Sequence, residues 1–222
     1  MQVTILGATG RIGSLVMTEG LTLGHDLVLL SRQAPTAPSV VHTSTIVGDV
    51  AHPDALRRAV TGSAAVIAAL GPRTNTLEDE LGLEVGMRNL VGAMEAEGVS
   101  RLIALSGAAV DVPGDTKPFI DRVASRIVRL AARHVVGAKQ REFDVFSAST
   151  LAWTALRPPI VMDGAPRGYR LSERLSPGAR VTRADVAAAM VAQLDDGAFL
   201  HGAPFVLPLA KANEPKPPGS LP

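Results

Sequence analysis

No cysteine occurs in the 222 residues, which excludes disulfides, thiolate chemistry and cysteine-ligated metal sites together. Aromatic residues make up only 3% of the chain, too few for a platform on which nucleobases stack. Lysine and arginine outnumber aspartate and glutamate by 22 to 21, so no field of one sign favours nucleic acid or an anionic membrane. No apolar run approaches the ~20 residues of a membrane span. The five histidines (His25, His42, His52, His134 and His201) show no ligand spacing such as H-x-x-x-H, and no metal site is expected. Strand-forming residues start at Gln2, so no signal peptide is expected and the expected location is cytoplasmic. The expected partner is a small-molecule substrate, with no nucleic acid and no membrane, and the expected state is monomer or homodimer.

What is present is an apolar fraction of 46%, enough for one domain with a full-sized core. The chain is organised around its first stretch, MQVTILGATGRIGS, Met1 to Ser14. Val3, Ile5 and Leu6 predict a short buried strand. Gly7, Gly10 and Gly13 follow, and Ile12, Leu15 and Val16 open a helical pattern. A strand that turns tightly into a helix aims free backbone N–H groups, and the positive end of the helix dipole, at whatever lies above the turn. A phosphate suits that place. Gly7 permits the sharp turn, Gly10 lets a pyrophosphate approach without meeting a β-carbon, and Gly13 lets the helix lie close to the strand. The spacing is G-x-x-G-x-x-G, one residue longer in its first gap than G-x-G-x-x-G. A mononucleotide P-loop is not expected, because Ile12-Gly13-Ser14 stands where Gly-Lys-Ser/Thr would be needed.

Further strands are expected at Asp26 to Leu30, Val40 to Val47, Ala64 to Leu70, Arg101 to Leu105 and Ala152 to Leu156, with a last short one at Phe205 to Leu207. Helices are expected from Arg11 to Thr22, Pro53 to Val60, Leu77 to Glu97 and Arg183 to Leu194, the last with Thr182 as N-cap. A helical region from Lys117 to Ser149 is expected to break near Gly137. The glycines Gly82, Gly86 and Gly92 imply close packing of the third helix on a sheet or a second subunit. The loop with Pro35 and Pro38, and the stretch from Ile160 to Arg180, read as irregular. Residues 1–210 form one α/β domain, including a small C-terminal substrate region, and 211–222 a proline-rich tail.

Alternating strands and helices imply a doubly wound parallel sheet of Rossmann type, its ligand lying across the carboxyl ends of the strands. The candidate cofactor turn is Gly7, Thr9, Gly10, Arg11, Ile12 and Gly13. About twenty residues on, a carboxylate would mark NAD. Leu30 to Gln33 holds none and offers Ser31 and Arg32 instead, a hydroxyl and a guanidinium fork suited to a 2′-phosphate. NADP (as NADPH) is therefore expected over NAD, with Arg11 a candidate second cation; the plain alternative for Arg32 is a solvated loop arginine. Asp49 either accepts from the adenine amino group or caps a helix entry.

These residues resemble an atypical short-chain dehydrogenase/reductase. GATGRIG is similar to that family's cofactor turn, Gly48-Asp49 to its adenine-side pair, and Leu105-Ser106-Gly107 to its strand-five serine. Ala138 to Pro159 and Val181 to Met190 are similar to the NmrA-like and biliverdin-IXβ/flavin reductase branch. The resemblance spans nearly the whole chain except the tail. It implies that backbone groups of Leu70 and Gly71 line the ribose and phosphate path and that Pro158 to Ile160 sit near the nicotinamide. It also implies Ser106 and Lys139 as candidate catalytic residues, Lys139 holding the nicotinamide ribose. One departure matters. The family's Tyr-x-x-x-Lys reads here as Val135-x-x-x-Lys139, and valine gives no proton.

The expected function is hydride transfer from NADPH to a small conjugated acceptor (flavin, quinone or bilin-like) that draws its proton from solvent or a weak donor. The alternatives are a non-catalytic NADP-sensing regulator of NmrA-like type and a nucleotide-sugar epimerase or dehydratase. The regular spacing of Arg122, Arg126, Arg129 and Arg133 marks a solvated basic face or a partner-binding stripe.

Overall fold

The side chains of the first strand alternate between two cores. In the computed structural model, which describes residues 1–34, 41–115 and 132–209, β1 (Gln2–Leu6) sends Val3 and Ile5 to one face and Leu6 to the other. The strands β2 (Asp26–Ser31), β3 (Thr43–Val47), β4 (Ala65–Ala68), β5 (Arg101–Leu105) and β6 (Ala152–Leu156) join it in the order β3-β2-β1-β4-β5-β6. All five pairings are parallel. The run Ala-Val-Ile-Ala of β4 is buried throughout, as a strand covered on both faces requires.

Four helices were read from sequence close to where they stand: α1 (Gly13–Thr22), α2 (Pro53–Val60), α3 (Leu77–Ala96) and, after α4 (Arg133–Ser147), α5 (Arg183–Ala192). The apolar faces of α2, α3 and α4 cover one side of the sheet, where Leu56, Met87, Leu90 and Phe143 meet Leu6, Val66 and Leu102. Each such side chain, fully buried, contributes about 1.5–3 kcal/mol. Three of the chain's few aromatics collect there, Phe143, Phe146 and Trp153, with ring centres 5.5–5.6 Å apart. Val16 of α1 and Val186 and Met190 of α5 cover the other side against Ile5, Ile67 and Ile103. One polar side chain lies in the middle of β1. The buried Thr4 hydroxyl reaches the Ala59 carbonyl at 2.6 Å and the Ser63 hydroxyl at 2.8 Å, so its burial leaves nothing unpaired.

Several local expectations are corrected. The helix expected to break at Gly137 runs through it as α4. The glycine serves contact instead: a β-carbon there would lie 2.6 Å from Glu80 Oε1 of α3. Gly86 packs closely, its absent β-carbon making room for Val50, but Gly82 and Gly92 face open space. The stretch from Ile160 to Arg180 holds three short strands, β7 (Ile160–Met162), β8 (Tyr169–Ser172) and β9 (Arg180–Thr182). β7 pairs with β9, and β8 pairs antiparallel with β10 (Phe205–Pro208). Their pairing is with distant chain, so no local alternation announces them. The segment leading into β10 also hydrogen-bonds to β6, Ala155 N–H to the Gly202 carbonyl at 3.0 Å, and so covers that sheet edge. The loop at Pro35 and Pro38, the arginines 122, 126 and 129, and the tail 211–222 lie outside the described residues.

Candidate functional site

The strand order reverses at β1, whose neighbours β2 and β4 lead away in opposite directions. Connections leaving the carboxyl ends on either side of such a point must diverge, and they leave a crevice between them. A crevice of about 400 Å³ lies there. Its floor is the glycine turn. Gly7 has φ +83°, a conformation that L side chains rarely adopt, and a β-carbon on it would stand 2.6 Å from the Ala69 carbonyl oxygen. The turn closes through Gly10 N–H to the Gly7 carbonyl at 2.9 Å.

The helix above this turn is left open. The N-cap of α1 is Ile12, with no side-chain cap and no acidic residue in the first turn. The other described helices are provided for. Thr76 caps α3 and Thr182 caps α5, each accepting from an aspartate N–H. Helix α2 has Pro53 and Asp54 in its first turn. Asn75 accepts from the first N–H groups of α4, His134 at 3.0 Å and Val135 at 3.3 Å. An uncapped N-terminus without a carboxylate, over a turn whose glycines carry no β-carbon, suits an anion.

The crevice brings together Gly7, Thr9, Gly10, Ser31, Arg32, Asp49, Leu70 and Gly71 from the expected set. Arg32 is exposed at the mouth. The Ser31 hydroxyl is turned onto its own loop, donating to the Gln33 carbonyl at 2.9 Å. Asp49 accepts from Ala51 N–H through Oδ1 at 2.9 Å; the N-cap of α2 is His52, so Asp49 holds the turn ahead of that helix and does not cap it. Gly13 and Ile12 belong to the start of α1, and Arg11 is exposed beside it. The opposite wall includes Arg73, Glu78, Asp79 and Leu83. The last three, on the first turns of α3, were not singled out from sequence, although T-x-x-D at Thr76–Asp79 is a recognisable helix start. Hydrogen bonds from the Thr74 side chain and backbone hold the Asp79 carboxyl below the usual range.

The other expected residues gather beyond the crevice. Ser106 and Pro158 lie on adjacent loops tied by Ala108 N–H to the Pro158 carbonyl at 3.2 Å. The Ser106 hydroxyl is buried and has no hydrogen-bond partner among the described residues. Ile160 is half exposed. Lys139 connects the two regions: its ammonium donates to the Leu70 carbonyl at 2.6 Å, the Leu105 carbonyl at 2.9 Å and Glu142 Oε2 at 2.7 Å. Val135 occupies the tyrosine position one turn earlier. The chain's single tyrosine, Tyr169, packs against the opposite core, its hydroxyl pushed up by burial. His134 is engaged elsewhere, Nδ1 donating to Glu80 Oε2 at 2.8 Å. No helix among the described residues is long and apolar enough to cross a membrane.

A model of the NAD(P)H-binding family matches residues 7–197. A 3-beta-hydroxysteroid dehydrogenase from Mycolicibacterium neoaurum is 28% identical over 138 residues, 54% of this chain. The match spans only 38% of that relative's length. Among solved structures, the wide-type short-chain dehydrogenase/reductase of Veillonella parvula DSM 2008 in complex with NADP has a TM-score of 0.75 at 22% identity, over 94% of this chain and 95% of that one. ChuY, an anaerobillin reductase from Escherichia coli O157:H7, has a TM-score of 0.75 at 18% identity, over 97% and 100%. These likenesses establish the shared Rossmann-type fold.

Proposed function

The chain belongs to the NAD(P)H-binding family, and from that footing we propose that it is an NADPH-dependent reductase passing hydride to a small conjugated acceptor of flavin, quinone or bilin type. The observation that carries the reading is the open α1 terminus over the glycine floor. The residues present fit a dinucleotide: Gly7 to Gly13 for the pyrophosphate, Ser31 and Arg32 for the adenosine 2′-phosphate, and Asp49 and Leu70 as walls. Absence of a carboxylate at Leu30 to Gln33 supports NADP over NAD, since nothing there repels the extra phosphate.

Bound NADPH supplies the hydride. The protein's own contribution is to orient the acceptor and keep water away. Val135 cannot move a proton, so an alcohol–ketone exchange of the kind named for the steroid dehydrogenase relative lacks its usual acid. A conjugated acceptor needs less, because its charge is delocalised and its proton comes from solvent. The Ser106 hydroxyl, unpartnered among the described residues, is a ready donor on that side, and an acceptor heteroatom would satisfy it.

Val135 also favours a second reading, a non-catalytic sensor of NADP occupancy. Stopped-flow NADPH oxidation with a panel of flavins, quinones and bilins separates the two. Turnover with at least one acceptor supports the reductase. Tight NADPH binding with no turnover for any acceptor assigns the chain to sensing.

A further inference from the structure

We infer that Lys139 and Glu142 form a buried strut under the nucleotide crevice, so that Lys139 acts on the dinucleotide through the Leu70 carbonyl and not by touching the ribose. The inference rests on the dinucleotide-binding reading above and changes the role assigned to this lysine.

An ammonium has three protons. Those of Lys139 are placed on the Leu70 carbonyl, the Leu105 carbonyl and Glu142, all within 2.9 Å. Glu142 is buried, 4% exposed, and Lys139 is nearly so at 12%. Reaching a ribose hydroxyl would require giving up one of these three charge-assisted hydrogen bonds, all of them part-buried.

The two carbonyls sit where the sheet ends. β4 and β5 pair in register up to Ala68 and Ala104. Beyond that point the ladder stops, and Lys139 bridges the two chains as they part. Leu70 is also a wall of the crevice, and its neighbour Ala69 presses on the glycine turn through the contact that excludes a β-carbon at Gly7. The position of Leu70 is thus felt on both the wall and the floor. Glu142, one turn along α4, is the counter-charge that holds the ammonium down. Its Oε1 has no partner among the described residues, so its burial is supported by Lys139 and by little else. Desolvation raises its pKa and Lys139 opposes that rise. Glu142 is therefore a positioning residue for the cofactor wall.

Two probes distinguish a strut from a ribose ligand: NADPH, and adenosine 2′,5′-bisphosphate, which carries the adenosine end and lacks the nicotinamide ribose. Calorimetry on Lys139→Met and Glu142→Leu should show both probes weakened by the same factor, on the order of 10-fold (about 1.4 kcal/mol). Glu142→Gln, which keeps an oxygen for the ammonium, should recover most of the affinity. Should a lone buried charge prevent folding, the double variant Lys139→Met/Glu142→Leu removes both charges, a change that folded proteins commonly tolerate, and it should show the same equal weakening. Loss of NADPH affinity with the bisphosphate unchanged would mean direct ribose contact and overturn the strut. Unchanged affinity for both probes would overturn it as well. A parent protein that binds neither probe removes the dinucleotide reading and this inference with it.

Discussion

Arg157 and Asp115 meet face to face, Nη1 to Oδ2 at 2.5 Å and Nη2 to Oδ1 at 2.8 Å, with the guanidinium 3.9 Å above the Phe205 ring. The arginine follows β6, the aspartate lies on the segment after β5, and the phenylalanine starts β10. Nε donates to the Ala203 carbonyl at 2.7 Å. Only 2% of the Arg157 side chain is exposed, and its guanidinium is held within the protein by Asp115, the Ala203 carbonyl and the Phe205 ring. It joins the loop that leaves Ser106 to the segment carrying Pro158.

Asp115→Ala should therefore be costly, because it strands a buried guanidinium. The expected loss is about 3–5 kcal/mol. Urea unfolding measures it, and a midpoint equal to the parent's would show that the pair is not needed.

Glycines separate by the space around them. A β-carbon at Gly13 would fall 2.0 Å from the Gly7 carbonyl oxygen, so Gly13→Ala must open the turn. NADPH affinity should drop at least about 100-fold, on the order of 3 kcal/mol. Gly92 lies inside α3 with nothing within 4 Å, and Gly92→Ala should stabilise the helix by about 1 kcal/mol. Thermal unfolding and calorimetry of the two variants check both signs.

Cofactor choice is predicted to rest on Arg32. Arg32→Ala should weaken NADPH roughly 10- to 100-fold, the range of a lost charge-assisted contact, and leave NADH nearly unchanged. An equal loss for both coenzymes would reject the 2′-phosphate assignment.

Acid sensitivity should be traceable to Glu80. Arg141, at 2.8 Å, and then His134 hold its carboxyl below the ordinary range. The folded-state pKa lies below the unfolded one, so this stabilisation is complete above about pH 4.5 and is lost as pH falls through the lowered value. Glu80→Gln should lower stability at pH 7 by roughly 1–3 kcal/mol and flatten the loss of Tm between about pH 5 and pH 3. Parallel Tm curves for the two proteins would show that Glu80 is not responsible.

Much of the fold and part of the crevice lining could be read directly. β1, the glycine turn and α1 were legible because each rests on local sterics and on the period of apolar residues. The crevice positions Ser31, Asp49 and Leu70 were legible because parallel strands place their carboxyl ends together. The break expected at Gly137 was wrong for a physical reason: glycine lowers helix propensity, but here it also admits Glu80, and contact between α3 and α4 outweighs propensity. β7 and β9 were missed because strands of three residues carry too few for an alternation to register.

By itself, the amino-acid order determined the alternation of strands and helices, the glycine floor and the lack of a carboxylate beside Arg32, since these depend on neighbours a few residues apart. Only the tertiary structure decided where the charges go. Lys139 meets Leu70 across 69 positions, Arg141 meets Glu80 across 61 and Arg157 meets Asp115 across 42. A buried charge takes whatever partner packing brings within about 3 Å, and packing is settled by which helices land side by side on the sheet.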